Sequence, residues 1–224
     1  MSTQTPRSGC TATVLLVGFE PFGDDAGNPG WDAVRLLDGA QIGGRRVVAA
    51  CLPVTFGESL RQLQAHIDRL APELVIAVGL AGGRSRLSLE RVAINVDDAR
   101  IPDNAGACPI DCPIVDDGPA AYFSNLPIKA MLVALRDAGI PAEVSQTAGT
   151  YVCNHVFYGL MHALRHQPGV RGGFIHVPYS PAQATRRPDA PSLPAATVAE
   201  GLRIAVQAAL DTAQDLRIAA GAVH

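Results

Sequence analysis

Cysteine and histidine are the side chains best suited to act as nucleophile and base near neutral pH. The chain has five cysteines and six histidines in 224 residues. Cys153 follows the polar stretch Thr147-Ala-Gly-Thr150 and precedes Val156, Phe157, Leu160 and Leu164 at helical spacing. That pattern predicts a loop and cap followed by a helix over 150–165, with Cys153 in its first turn. Free backbone N–H groups and the helix dipole favour a thiolate there. An inert core cysteine would fit the same pattern. His176 stands near the end of the apolar run Gly173-Phe-Ile-His-Val-Pro178, and open α/β sheets place ligand sites at the carboxyl ends of strands. Cys153 and His176 are therefore the best nucleophile–base pair in the chain, although a satisfied structural histidine also fits that position. Glu90 interrupts an otherwise apolar stretch, Leu89 to Ile94, where a carboxylate needs a partner. It either orients a histidine as the third member of a Cys-His-acid set or pairs with Arg91 or Arg100.

The other candidates carry weaker chemistry. Cys10 lies in a polar tail, and Cys51 sits within an apolar strand, where a free thiol packs as a small apolar residue. Cys108 and Cys112 form a C-x3-C in a Pro-rich loop, without a second Cys/His pair at zinc spacing. His66, His162 and His166 fall on helices, and His224 ends the chain. The pair His162/His166 lacks the glutamate of a zinc motif. His155 is two residues beyond Cys153, a spacing that does not bring side chains together on a helix. The loop Gly79-Leu-Ala-Gly-Gly-Arg84 follows a strand but fits neither dinucleotide nor P-loop spacing.

The elements that must position these residues alternate along the chain. Continuous apolar runs at 13–19 and 74–79, each ending in a glycine-containing loop, read as buried parallel strands. Further strands are expected at 46–54, 142–146 and 173–178, and a half-exposed one at 86–96. Helices are expected at 31–37, 58–70, 128–138, 150–165 and 194–220. The Asp-, Pro- and Cys-rich stretch 100–121 reads as a long loop or small hairpin. The result is an α/β/α sandwich around a twisted, mostly parallel sheet. It forms one domain over residues 13–224, with a polar tail at 1–12 and a loose segment at 180–193.

Composition narrows the function classes. Apolar residues make up 48%, charged residues 17%, and net charge is −3, while mean hydropathy is +0.17. Such a chain can bury a core and is not a disordered one. It has no basic block to serve as a nucleic-acid footprint. No apolar run reaches the roughly 20 residues of a membrane span, and the polar start does not read as a signal peptide. Five cysteines are an odd set for a disulfide framework. Reduced thiols in the cytoplasm are expected.

Five segments, taken together and in order, resemble the pyroglutamyl peptidase I (pyrrolidone-carboxylate peptidase) family of cytosolic cysteine exopeptidases. They are Gly18-Phe-Glu-Pro-Phe-Gly23 with Asn28-Pro29, Glu90-Arg-Val-Ala-Ile-Asn95, Asp97-Asp-Ala-Arg-Ile-Pro-Asp-Asn104, Thr147-Ala-Gly-Thr-Tyr-Val-Cys-Asn154, and Gly173-Phe-Ile-His-Val-Pro-Tyr179. The match runs from Val14 to about residue 212. The resemblance implies a Glu90, Cys153, His176 triad and removal of N-terminal pyroglutamate from small peptides. It implies a lactam pocket built by Phe19, Phe22, Asn28, Ile101, Tyr151 and Val152, with Arg100 beside the Cys153 N–H as an oxyanion donor. No metal or organic cofactor is implied, and a homotetramer is. Leu80 stands where the family commonly carries a lactam-binding glutamine, a hydrogen bond that leucine cannot make. Gly30 and Asp24 also replace usual residues. Two other readings compete: an enzyme like the nucleoside phosphorylases, and a binding protein of this fold that has lost turnover.

Overall fold

The structure is a computed structural model that describes residues 12–221. Apart from Ala12, the expected tail lies outside the described residues, as do Cys10 and His224. The strands are β1 (Thr13–Phe19), β2 (Gln41–Ile42), β3 (Arg45–Leu52), β4 (Leu74–Leu80), β5 (Leu87–Glu90), β6 (Val92–Ile94), β7 (Ala121–Phe123), β8 (Ala142–Ser145) and β9 (Arg171–Val177). The helices are α1 (Pro29–Val34), α2 (Glu58–Leu70), α3 (Ile128–Asp137), α4 (Val152–Leu164), α5 (Pro181–Ala184) and α6 (Ala195–Asp211).

One seven-stranded sheet runs β2-β3-β1-β4-β9-β5-β8, and β6 and β7 form a separate ribbon. The four central strands β3, β1, β4 and β9 are parallel. β5 runs against β9 and parallel to β8, and β2 runs against β3. The continuous apolar runs of β1 and β4 are buried except at Thr13 and Leu80, because helices cover both faces. Alternate residues serve different layers: Val14, Leu16, Leu74, Ile76 and Val78 pack with α1, α3 and α6. Leu15, Val17, Val75 and Ala77 pack with α2 and α4 on the other side. The expected α/β/α sandwich with a mostly parallel sheet is the observed architecture.

Several boundaries differ from expectation. The strand expected over 86–96 is split at Arg91, and its first half is fully buried between β9 and β8. The stretch 100–121 folds back on 97–99, where Asp97 and Cys112 exchange backbone hydrogen bonds and Ala99 N–H reaches Pro109 O. The segment 180–193 is ordered by α5. Its Ser180 and Gln183 form a capping box, and the Arg187 guanidinium pairs with Asp25 and lies 4.5 Å over the Tyr179 ring. That Ser-x-x-Gln spacing was a readable helix-start signal. The last long helix stops at Asp211, short of 220. Tertiary hydrogen bonds take the chain elsewhere: Arg171 donates to Thr212 O at 2.9 Å. The Asp215 carboxylate accepts from Lys129 N (3.1 Å) and Ala130 N (2.9 Å) at the start of α3.

Asp215 caps a helix whose own N-cap, Pro127, offers no side-chain acceptor. Asp215→Ala is expected to lower stability by about 1 kcal/mol, the usual loss of a cap, measured by urea denaturation. Unchanged stability would show that the carboxylate does not serve α3.

Candidate active site

Strand register brings the three sequence candidates together. His176 on β9 lies opposite Gly79 of β4 and opposite Ser88 of β5. Residues paired in this way share a face of the sheet, and Glu90, two residues beyond Ser88, shares it too. Glu90 and His176 are both buried, and Glu90 Oε1 accepts a hydrogen bond from His176 Nδ1 at 2.7 Å. The proton therefore sits on Nδ1, and Nε2 is left free to accept one. On the other flank, Gly79 makes room for the thiol: a Cβ there would come within 2.9 Å of Cys153 Sγ and 2.8 Å of the Phe174 ring. The thiol thus occupies the space over Gly79, beside its strand partner His176.

Cys153 is the second residue of α4, as the first-turn expectation requires. The helix starts after Tyr151, whose side chain makes no capping bond, so the expected polar cap is absent. The electrostatic expectation also changes. Burial, followed by the Glu90 charge, pushes the half-buried Cys153 thiol up to about 12, with Arg84 pulling the other way. The resting group is a thiol, because desolvation outweighs the favourable helix end. Burial also lowers His176 below the ordinary histidine value despite its bond to Glu90. A neutral imidazole beside a protonated thiol can accept the thiol proton.

The thiol opens into a cavity of ≈ 370 Å³ at the carboxyl ends of β1 and β4, lined by Phe19, Phe22, Asn28, Leu80, Arg100, Ile101, Tyr151 and Val152 together with Cys153. All seven sequence-proposed pocket residues and Arg100 thus meet at one place. Phe19 packs on Phe174 at 6.1 Å, and Phe22 sets its ring edge-on to Tyr151 at 5.6 Å. Asn28 is partly committed to the fold, since its Oδ1 caps α1 at Gly30 N and its Nδ2 donates to Glu20 O. Arg100 is exposed at the cavity wall, and Ile101 is half exposed beside it.

Sequence reasoning missed Arg84. The partner of Glu90 is neither Arg91 nor Arg100: Arg84 Nη1 donates to Glu90 Oε1 at 2.6 Å. The glycine loop after β4, with its weak resemblance to a phosphate cradle, is committed to this task. Gly82 yields to the Tyr179 hydroxyl, 2.1 Å from where a Cβ would stand, and Gly83 takes a φ of +87° to turn the chain. Asp25, Val54, Asp98 and Thr150 also line the cavity; Asp98 and Thr150 fall within the family-like segments, whereas Asp25 and Val54 carried no sequence signal. His155 faces away from Cys153, as its spacing implied. It is buried between Asp97, at 2.7 Å from Nδ1, and the Gly57 N–H, which donates to Nε2 at 2.9 Å. The Cys108 and Cys112 thiols donate to Ala99 O and Ile110 O.

Comparison with known proteins identifies the family. The family model described as pyroglutamyl peptidase matches residues 12–212. The chain belongs to the pyroglutamyl peptidase family. It is 61% identical over 213 residues to a pyrrolidone-carboxylate peptidase of Klebsiella pneumoniae, covering 95% of this chain and 100% of that one. A Cupriavidus taiwanensis pyrrolidone-carboxylate peptidase is 62% identical over 214 residues, with 95% and 99% coverage. The crystal structure of pyroglutamyl peptidase I from Bacillus amyloliquefaciens superposes with a TM-score of 0.91 at 46% identity, covering 93% of this chain and 100% of that one.

The thiol's place over Gly79 can be tested by stability. Gly79→Ala is expected to lower stability by about 1–3 kcal/mol through overpacking. In a Cys153→Ala background the loss is expected to shrink by about 0.5 kcal/mol or more, because one of the two clashing groups is gone. Strict additivity in urea denaturation would place the thiol elsewhere.

Proposed function

We propose that this chain is a cysteine exopeptidase that hydrolyses the amide bond after an N-terminal pyroglutamyl residue of small peptides. The observation that carries this reading is the Cys153–His176–Glu90 juxtaposition at the wall of an apolar, aromatic-walled cavity. A pyroglutamyl ring is small and neutral, which suits such a cavity with few polar partners. In this reading Phe19, Phe22, Ile101, Tyr151 and Val152 hold the lactam by contact and Asn28 offers a spare N–H. Leu80 supplies an apolar wall.

The steps follow from the charges. His176 Nε2 takes the Cys153 proton, and the thiolate attacks the pyroglutamyl carbonyl carbon. The N–H groups of the first turn of α4, Cys153 among them, have no intrahelical acceptor and receive the oxyanion, with Arg100 as a further donor. The imidazolium, steadied by Glu90, returns its proton to the leaving amine as the C–N bond breaks. Water, deprotonated by the same imidazole, then cleaves the thioester and frees the thiol. No step calls for a metal or an organic cofactor.

Among the described residues no helix is long and apolar enough to cross a membrane. The reading further includes action in the cytoplasm, which suits a nucleophile that must stay a reduced thiol, and a homotetramer, on the family resemblance.

Two outcomes are expected with a pyroglutamyl fluorogenic amide under dithiothreitol and without phosphate. Turnover by the parent should fall by ~10³ or more in Cys153→Ala; equal rates would rule out the thiol mechanism. Because His176 is held below its ordinary value of 6.5, the acid limb of kcat/KM should lie below pH 6.5. The enzyme loses its base only when the pH falls through that lowered value. A limb above 6.5 would contradict the buried, neutral imidazole.

A further inference from the structure

Arg84 is outside the triad and outside the cavity lining, yet its guanidinium touches both halves of the site. Nη1 donates to Glu90 Oε1 at 2.6 Å, the same oxygen that accepts from His176 at 2.7 Å. Nη2 donates to Thr147 O at 3.0 Å, in the loop that leads into α4 and Cys153. The other oxygen of the carboxylate, Glu90 Oε2, is buried with no hydrogen-bond partner among the described residues. The whole polar attachment of Glu90 therefore runs through one atom shared by Arg84 and His176. Arg84 itself is aimed by a tight turn, its N–H bonding Ala81 O at 3.3 Å across Gly82 and Gly83. A fork-shaped cation is needed because the two acceptors lie on separate segments, and one planar guanidinium can reach both.

We propose that Arg84 is a positioning residue of this site, tying the Glu90 oxygen that orients His176 to the loop that presents Cys153. The proposal rests on the thiol-peptidase reading above. The charged and titratable groups that face His176 are Glu90 from β5, Arg84 from the turn after β4, and Cys153 from α4. Its own strand contributes only the Phe174 ring, 4.7 Å away. Arg84 opposes the Glu90 charge at both reacting partners: it lowers the proton affinity of His176 and that of the Cys153 thiol. Removing it leaves the Glu90 charge unopposed, so His176 takes a proton at higher pH and the thiol ionises less readily.

The test compares parent, Arg84→Gln and Arg84→Lys on the pyroglutamyl amide across the acid and neutral range, with folding checked by thermal melting. In Arg84→Gln, kcat is expected to fall roughly tenfold to hundredfold, the scale of a mis-set general base. KM should stay near the parent value because Arg84 does not line the cavity, and the acid limb should move to higher pH. Arg84→Lys keeps the charge without the fork, so the limb should return toward the parent position while kcat stays reduced. Parent kcat in both variants, or a lost kcat with an unmoved acid limb in Arg84→Gln, would overturn the proposal. Were Arg84→Gln not to fold, parent kcat in Arg84→Lys alone would overturn it. If the parent does not turn over, the functional reading fails separately, and the positioning role is still read from alkylation of Cys153 by iodoacetamide, followed by peptide mass. Slower alkylation in Arg84→Gln than in the parent at equal pH supports it, and equal rates overturn it.

Discussion

A carboxylate with no exposure to water sits between two strands in this sheet, and much of the site's geometry answers to it. Moving a charge such as that of Glu90 out of water is costly unless partners meet it closely. Here the partners are the His176 ring N–H and the Arg84 guanidinium, converging on a single oxygen. Those two contacts set the histidine tautomer, give the turn after β4 a purpose, and hold the end of β5 against β9. Burial, with the Glu90 charge adding to it and Arg84 opposing, raises the thiol, so the site rests as a neutral pair until a proton moves.

The glycines of the turn show how closely backbone and chemistry are fitted. Gly79 leaves the space that the thiol fills, Gly82 admits the Tyr179 ring, and Gly83 supplies the left-handed turn that directs Arg84 inward. Tyr179 in turn carries Arg187, which pairs with Asp25 beside the cavity. The wall contributed by β1's following loop is thus linked by contacts to the loop that supports the acid.

The opposite wall is backed by polar groups that do no chemistry in this reading. Phe56 meets Tyr151 and His155 edge-on at 5.3 Å, and the Asp97–His155 pair pins the Gly57 backbone beneath them. Burial and the nearby Asp103 raise Tyr151 to about 12, so its hydroxyl keeps its proton and donates to Pro102 O. Asn154, next to Cys153, bonds both backbone groups of Ile94 and the carbonyl of Val96. Side chains that bind backbone in this manner fix the end of β6 and the chain that follows it.

The sequence by itself determined what depends on near neighbours. Apolar runs marked the buried strands, helical spacing marked α2, α3 and α4, and Cys153 could be placed in a first turn. His176 could be assigned to a strand end and Glu90 to a position that demands a partner. Period and local spacing act within a few residues, so they can be read along the chain. Only the tertiary structure decided which partners meet. Arg84, only six residues from Glu90, is its partner in place of the adjacent Arg91 because the turn at Gly83 brings its guanidinium back to the carboxylate. The stop of α6 at Asp211 came from hydrogen bonds to distant segments, and in 180–193 the local capping box of α5 is joined by bonds from Gln183 and Arg187 to distant Asp25. The thiol's resting charge was settled the same way, since a helix end acts locally whereas desolvation is the sum of everything packed around the sulfur.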